Sequence, residues 1–276
     1  MRLIIAPICI FLFLAASFPV SAAPGKELWP FFAEHNPGSV EAVDHRSWNA
    51  FLKAYVKDEP AGLNRVDYGA VTETDRAALD AYITKLAATA VTSLNRHEQR
   101  AYWINLYNAL TVQVILDHYL VGTIRDIDIS PGLFSDGPWG KKLLTIEGHP
   151  VSLDDIEHRI LRPVWNDPRI HYAVNCASVG CPDLAARAYT AENADRLMSE
   201  NAAAYVNSPR GVKLEDGEIV VSSIYDWFAE DFGGSERGVI DHLLEYATGA
   251  RRQVLEKAGG IDGYAYDWSL NGAVRQ

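Results

Sequence analysis

The sequence has little cysteine and a shortage of basic residues. Cysteine occurs only as Cys9, Cys176 and Cys181, which excludes the disulfide-dense scaffolds of small secreted domains. The 25 Lys and Arg residues face 36 Asp and Glu residues, giving a net charge of −11. Nucleic-acid-binding proteins are usually basic because they must neutralise phosphate groups. The composition therefore indicates an acidic, solvated surface and excludes a nucleic-acid partner.

Several well-known motifs are also missing. The sequence contains no glycine-rich phosphate loop, no G-x-S-x-G elbow and no H-E-x-x-H helix, so these signatures point to no cofactor and none is predicted. After Phe18 no stretch approaches the roughly 20 apolar residues that a membrane-spanning helix needs. We therefore expect no stable membrane insertion once the N-terminal leader has been removed.

That leader is residues 1–23. Arg2 precedes an apolar run that reaches Phe18, and the small-residue pattern Val20-Ser21-Ala22-Ala23 follows. This order is typical of a cleavable signal peptide, and the run is short for the alternative, an uncleaved anchor. Cleavage removes Cys9, so the mature protein keeps two cysteines. We predict a soluble mature chain that is located in the periplasm or secreted.

The remaining chain is expected to form one domain. Residues 24–43 are rich in Pro, Gly and polar residues and predict a partly ordered lead-in, whereas residues 44–276 are long enough to bury a full core. Helical spacing dominates the first part of the chain, and the short strand patterns fall in its middle and late parts. The pattern predicts an α+β fold, a single globular domain with a helix-rich N-terminal part and a small central β-sheet.

One predicted helix combines apolar and polar features. Asn95 followed by Glu98 resembles a capping box, and the helix runs to about Tyr119. Its apolar residues cover most of the circumference, which is typical of a buried helix. Glu98, Asn105 and Asn108 share the remaining gap, and buried polar groups are costly unless they are hydrogen-bonded. Either these three side chains tie down neighbouring loops or they line a site.

A second helix carries a histidine. Ser152 and Asp155 form another capping box, which predicts a helix over Leu153–Leu161 that ends before Pro163. His158 lies about 140° from Leu153 around this helix, so packing against the apolar face does not require it. His158 is either a solvated surface residue or part of a site.

The densest group of reactive side chains surrounds Cys176. The residues Ile170–Asn175 predict a strand that ends at Cys176, and a nucleophile at the end of a buried strand is rigidly held. Strand side chains alternate between faces, so His171 would point away from Cys176. The preferred catalytic pair is therefore Cys176 with His158 as its base.

The third member of such a triad would orient the imidazole. Asn105, Glu98 and Asp226 are all candidates, and the sequence does not rank them. A structural disulfide between Cys176 and Cys181 is an equally serious alternative, because a loop of this length lets the two residues approach each other. A zinc site using both cysteines, His158 and His171 is opposed by the alternating faces, and no metal site is predicted.

Several segments together resemble one known family, domain of unknown function 547. They are Arg100–Leu110, Ser152–His158, Arg169–Ala173 leading into Cys176, Cys181-Pro182, Ser222–Phe232 and Tyr266–Asn271. The resemblance extends from about Trp48 to Asn271. That family occurs in bacterial exported proteins and in plant proteins bearing coiled coils, and the resemblance implies the motif residues Glu98, Asn105, Asn108, Glu157, His158, His171, Cys176 and Cys181. It implies no particular reaction.

Two functional hypotheses follow from these residues. In the first, the protein is a thiol-dependent hydrolase or acyltransferase, with Cys176 as nucleophile and a peptide, amide or thiol-containing small molecule as substrate. In the second, it is a non-catalytic periplasmic binding or scaffold domain, stapled by a Cys176–Cys181 disulfide. The first hypothesis needs a free and ionisable thiol, whereas the second needs an oxidised one.

Overall fold

The computed structural model describes residues 24–59, 63–132, 137–215 and 217–273. The predicted signal peptide, residues 1–23, lies outside these ranges. Within them no helix combines the length and the apolar character that crossing a membrane requires.

Helices dominate the architecture, and the strands form small separate sheets, which confirms the predicted α+β class. The helices are α1 (Pro30–Ala33), α2 (Arg46–Tyr55), α3 (Glu73–Ala87), α4 (Arg96–Asp117), α5 (Arg162–Trp165), α6 (Ala194–Val206), α7 (Ile224–Trp227), α8 (Glu236–Tyr246) and α9 (Gly249–Leu255). The strands are β1 (Val56–Glu59), β2 (Leu63–Val66), β3 (Leu144–Ile146), β4 (His149–Val151), β5 (Val212–Glu215), β6 (Glu218–Ser222) and β7 (Gly263–Ala265).

The sheets are hairpins, one of which gains a third strand. The strands β1 and β2 pair antiparallel, as do β3 and β4. The strand β6 pairs antiparallel with β5 and parallel with β7, so the order is β5-β6-β7. Adding β7 brings the C-terminal segment back to the middle of the molecule.

The helix α4 is the centre of the larger core. Every side chain from Glu98 to Val112 is buried, as the apolar circumference predicted. Asn95 caps the helix, because its Oδ1 accepts hydrogen bonds from the backbone N–H groups of His97 and Glu98. The Glu98 carboxylate, however, accepts from the backbone N–H of Val43. The reciprocal half of the predicted capping box is therefore absent.

The second capping box is complete, but the helix that it begins is irregular. Ser152 and Asp155 exchange hydrogen bonds between side chain and backbone. The residues Asp155–Leu161 then form a π-helix, which continues into α5 through Pro163 rather than ending before it. π-Helical turns are rare and occur frequently at functional sites because they displace side chains from α-helical register.

The predicted strand over Ile170–Asn175 is wrong. Residues Pro168–Tyr172 form a 3₁₀-helix, with Pro168 at its first turn and the Asp167 side chain accepting from the Arg169 N–H. A short apolar run cannot distinguish a buried strand from a buried helical turn, and here the Asp-Pro start decides. The alternation of faces that set His171 aside therefore does not apply.

The lead-in segment packs against the π-helix. The backbone N–H groups of Glu27 and Trp29 donate to the carbonyl groups of His158 and Arg159. The Arg159 guanidinium lies 4.4 Å from the centroid of the Trp29 ring, and Phe32 is buried. Residues 24–33 therefore cover one side of the segment that carries His158.

Candidate functional site

Cys176 is a free, partly exposed thiol surrounded by hydroxyl groups. Its Sγ lies 3.1 Å from the Ser178 Oγ and 3.1 Å from the Tyr266 Oη. The two hydroxyl oxygens are themselves 2.8 Å apart. Within the described part of the chain, no histidine is hydrogen-bonded to this sulfur. The sulfur thus belongs to a compact cluster of oxygen and sulfur atoms.

This cluster favours the thiolate. A hydrogen bond from the Cys181 thiol lowers the pKa of Cys176, burial acts in the opposite direction, and the Ser178 and Tyr266 hydroxyls lower it further. Burial raises the pKa of the Cys181 thiol, and the neighbouring Cys176 raises it again. The pKa of Tyr266 is also raised, first by burial, so its hydroxyl remains a donor. The partly exposed sulfur therefore ionises before the buried one.

The backbone around Cys176 is tightly held. Ala177 adopts a left-handed conformation with φ 60°, which is uncommon for a residue with a side chain and often occurs at functional sites. The Asn175 Oδ1 accepts from the Ala177 N–H, and the Asn175 amide donates to the Pro182 carbonyl. The Asn175 side chain therefore clamps both ends of the cysteine-containing loop.

Cys181 lies next to Cys176 without a covalent bond. Its Sγ accepts a hydrogen bond from the backbone N–H of Cys176 at 3.1 Å. Both residues are free thiols in this structure, and Cys181 is only 5% exposed. The predicted disulfide is not formed here, although the predicted proximity of the two cysteines is present.

A buried network of charged groups surrounds His171. Its Nε2 lies 2.8 Å from the Asp231 Oδ2, and its Nδ1 lies 3.6 Å from the Glu157 Oε1. The Arg162 Nε donates to the same Asp231 oxygen at 2.6 Å. The Lys26 Nζ contacts the other oxygen of Asp231 at 2.7 Å. Lys26, Arg162 and His171 therefore compensate the charge of the Asp231 carboxylate, and His171 also lies next to the Glu157 carboxylate.

The charged groups of this network shift one another's pKa values. Burial opposes ionisation of Glu157, but His158, His171 and Arg162 outweigh it and lower the pKa of Glu157 to about 2. Burial also opposes protonation of His171, but its hydrogen bonds to Asp231 and Glu157 outweigh that effect and raise the pKa of His171. His171 is therefore held in its cationic form by two carboxylates.

His158 is buried at one end of this network, with 6% of its surface exposed. Its Nδ1 lies 2.9 Å from the Arg162 Nη1, and because arginine can only donate, the proton of neutral His158 is on Nε2. That atom lies 3.7 Å from the Asp154 Oδ1. Burial chiefly lowers the pKa of His158 to about 4, and burial chiefly raises that of Asp154 to about 6.

Tyr107 lies between the charged network and the thiols. Burial chiefly raises the pKa of Tyr107, and the charge of Glu157 and the negative charge that Cys176 and Cys181 can carry raise it further. The ring is fully buried on α4. Tyr107 is therefore close enough to both groups for their charges to act on it.

The polar residues of α4 hold neighbouring loops. The Asn105 amide donates to the Tyr189 carbonyl and accepts from the Tyr189 N–H. The Asn108 amide donates to the Ala173 carbonyl and accepts from the Asn175 N–H. With the bond from Glu98 to Val43, these contacts fit the loop-holding alternative. Asn108 acts directly on the segment that leads to Cys176.

Asp226 lies apart from this network. Its side chain is exposed, and its charge acts on Tyr264. The carboxylate that contacts His171 is Asp231, five residues further on, in the 3₁₀-turn Ala229–Phe232. The motif Ser222–Phe232 contained both carboxylates, and the turn geometry selects the second.

Several residues of the site were not predicted as such. They are Tyr107, Asp154, Arg162, Ser178, Asp231 and Tyr266. Tyr107 lies on the apolar face of α4 and was therefore expected to be a core residue. Asp154 lies between the capping residues Ser152 and Asp155, and no role was predicted for it. Tyr266 reaches Cys176 across 90 residues of sequence, a distance that local patterns do not span. Within the described ranges, no group of three or more His, Cys, Asp and Glu residues is arranged to hold a metal ion.

Comparison with known proteins identifies one family. Residues 91–206 match the family described as Protein of unknown function, DUF547, which confirms the resemblance seen in the motifs. The match contains α4, the π-helix and both cysteines, whereas the motifs Ser222–Phe232 and Tyr266–Asn271 lie beyond it. No curated protein and no solved structure matches the chain.

Proposed function

We propose that this protein, whose residues 91–206 match the DUF547 family, is a thiol-dependent hydrolase or acyltransferase with Cys176 as its nucleophile. The observation that carries the proposal is the free thiol of the partly exposed residue Cys176, in contact with the hydroxyls of Ser178 and Tyr266. A thiolate is the reactive form of cysteine, and groups that stabilise it increase its population at neutral pH.

The proposed reaction begins with attack by the Cys176 thiolate on an acyl carbon. A carbon–sulfur bond forms, the bond to the leaving amine or alcohol breaks, and the leaving group takes up a proton from water. Water or a second acceptor then attacks the thioester, which releases the acyl group and restores the thiol. The hydroxyls of Ser178 and Tyr266 hold the sulfur in position before the attack.

His158 was predicted as the base for Cys176, but a pKa of about 4 makes it a poor base at neutral pH. Its Nδ1 accepts from Arg162, so Nε2 carries the proton of the neutral ring. The neutral ring is also a poor acid, because loss of the Nε2 proton would leave an imidazolate anion. We therefore propose that His158 takes no part in proton transfer and is a structural member of the charged network, so its replacement by Gln should not reduce alkylation of Cys176.

The first test is reaction of the purified mature protein with an activated ester, p-nitrophenyl acetate. We expect a rapid release of nitrophenol and an acetyl group on Cys176, detected by mass spectrometry of peptides prepared at acidic pH. The variant Cys176→Ala should lose both signals, whereas Cys181→Ala, which removes the buried neighbour, should retain an acetylated Cys176.

Iodoacetamide provides a second test that needs no substrate. The native, unreduced protein should be alkylated at Cys176, with a midpoint below the pKa of about 8.5 of an ordinary cysteine. Alkylation that requires prior reduction would contradict the proposal and favour the binding or scaffold alternative. In that alternative, Cys176→Ala and Cys181→Ala would destabilise the unreduced protein equally, since each removes the same disulfide.

The proposal includes a location. If residues 1–23 act as a signal peptide, the protein works in the periplasm or outside the cell, where a peptide, amide or thiol-containing small molecule would be its substrate. Fractionation of the native host should then place the mature chain outside the cytoplasm.

A further inference from the structure

The two thiols form an asymmetric pair. Cys176 is partly exposed, whereas Cys181 is buried, with 5% of its surface exposed. The Cys181 Sγ accepts a hydrogen bond from the Cys176 backbone N–H at 3.1 Å, and its own S–H donates to the Val174 carbonyl at 3.8 Å. Cys176 is therefore the more accessible residue of the pair, and Cys181 is held next to it.

We infer that the Cys176–Cys181 pair also carries out thiol–disulfide exchange with low-molecular-weight disulfides, with Cys176 as the attacking thiol and Cys181 as the resolving thiol. The inference rests on the proposed function in one respect, because both require Cys176 to be the accessible nucleophile. It adds a second reaction and gives Cys181 a role that acyl transfer does not use.

The exchange proceeds in two balanced steps. The Cys176 thiolate attacks one sulfur of the small disulfide, a mixed disulfide forms, and the other half leaves as a thiolate. Cys181 then loses its proton, its sulfur attacks the Cys176 sulfur, and the second small thiolate leaves. Two protein thiols are oxidised to one disulfide, while one small disulfide is reduced to two thiols.

The loop is built to keep the sulfurs together. The C-terminal segment pairs with it, because the N–H groups of Val179 and Gly180 donate to the carbonyls of Ser269 and Asp267 at 2.8 and 2.7 Å. A Cβ atom at Gly180 would lie 2.7 Å from the Asp267 nitrogen, so this close approach requires glycine. The Arg210 guanidinium donates to the Cys181 carbonyl at 2.7 Å. A disulfide requires a sulfur separation of about 2.05 Å, and the anchored loop holds the Cys181 sulfur 3.1 Å from the Cys176 backbone nitrogen.

The surroundings also define the kind of disulfide. The Cys176 sulfur contacts the Tyr266 hydroxyl, and the Tyr266 ring packs against Trp227 and Trp268 with centroid separations of 4.8 and 4.7 Å. An aromatic cluster next to a partly exposed thiol favours a small disulfide over a bulky protein disulfide. The net charge of −11 disfavours anionic reagents, so bis(2-hydroxyethyl) disulfide, which is small and neutral, is the appropriate probe.

The test compares the wild type with Cys181→Ser and Cys176→Ser after brief treatment with this probe and acid quenching. We expect the wild type to accumulate an intramolecular Cys176–Cys181 disulfide. The Cys181→Ser variant should stop at a mixed disulfide on Cys176, and Cys176→Ser should form no adduct. The fluorescence of Trp227 and Trp268 should change with oxidation in the wild type, which gives a readout independent of mass.

The possible failures are distinguishable. A wild type that stops at the same stable mixed disulfide as Cys181→Ser would overturn the exchange inference, yet leave Cys176 as a nucleophile. An initial adduct on Cys181 would overturn the assigned order of attack. If the wild type forms neither the mixed disulfide nor the intramolecular disulfide, and iodoacetamide does not alkylate Cys176, the exchange inference and the proposed function both fail.

Discussion

At the scale of single residues, the Cys176 sulfur is hydrogen-bonded by hydroxyl groups rather than by an imidazole, and these hydroxyls add to the effect of the Cys181 thiol on its pKa. Ser178 and Tyr266 each place an oxygen 3.1 Å from the sulfur. A hydrogen bond to a charged group contributes about 1.5–3 kcal/mol, and one pKa unit corresponds to about 1.4 kcal/mol. Removing one such donor should therefore raise the pKa of Cys176 measurably.

The variant Tyr266→Phe tests this effect. It keeps the ring that packs on Trp227 and Trp268 but removes the hydroxyl, so the pKa of Cys176 should rise by about 1. The measurement is the rate of iodoacetamide alkylation against pH. Tyr264→Phe is the matched control, because Tyr264 is 38% exposed and has no recorded bond to the cysteine. An unchanged midpoint in Tyr266→Phe would show that the hydroxyl does not stabilise the thiolate.

At the scale of elements, α4 positions the site through amide side chains. Asn108 satisfies both the Ala173 carbonyl and the Asn175 N–H, and these groups are buried just before Cys176. The π-helix contributes Glu157 and His158, and α5 begins with Arg162. One buried helix and one irregular helix therefore bring the thiol segment and the charged network to Tyr107.

Replacing Asn108 with Ala should destabilise the protein by about 1–3 kcal/mol for each buried group left unpaired. Alanine has the highest helix propensity, so a loss must come from the missing contacts. Urea denaturation followed by circular dichroism measures it. Gln113→Ala is the control on the same helix, since Gln113 is only partly buried and bonds to Asp80 near the surface. Equal stabilities for the two variants would contradict the anchoring role of Asn108.

At the scale of the whole molecule, buried neutral histidines make stability depend on pH. Burial chiefly lowers the pKa values of His45, His158 and His242 to about 4, whereas in the unfolded chain they protonate near 6.5. Between these values the unfolded state binds protons that the folded state does not. These three histidines should therefore lower the free energy of unfolding as the pH decreases from 6.5 towards 4, whereas Asp154, whose pKa is raised to about 6, acts in the opposite direction below that pH. His171 acts elsewhere, because its raised pKa affects stability only above about 6.5.

The variant His242→Phe should reduce this dependence. Each neutral histidine contributes up to about 1.4 kcal/mol per pH unit to the slope, and phenylalanine removes one titrating group while keeping an aromatic ring against Tyr172. Urea denaturation between pH 5 and 6.5 avoids the range in which Glu157 titrates. His97→Gln is the control, since His97 is exposed. A slope in His242→Phe equal to that of the wild type would rule out His242 as a source.

Sequence patterns predicted local features well. Asn95 and the Ser152–Asp155 pair begin helices where expected, because a cap acts within three residues along the chain. The burial of α4 followed from its apolar circumference. The run Ile170–Asn175 was misassigned because strands and buried turns share its apolar composition, and without the predicted strand the argument against His171 no longer holds.

The sequence by itself determined the helix-rich α+β class, the buried α4, the family to which residues 91–206 are similar, and the choice of the segment around Cys176 as the candidate site. It could do so because caps, helical periodicity and motifs are read within a few turns of chain. Only the tertiary structure decided which groups meet: Tyr266 rather than a histidine at the sulfur, and Asp231 rather than Asp226 at His171. Those contacts depend on burial and packing between segments 60 to 90 residues apart, where hydrogen-bond satisfaction, not local propensity, selects the partner.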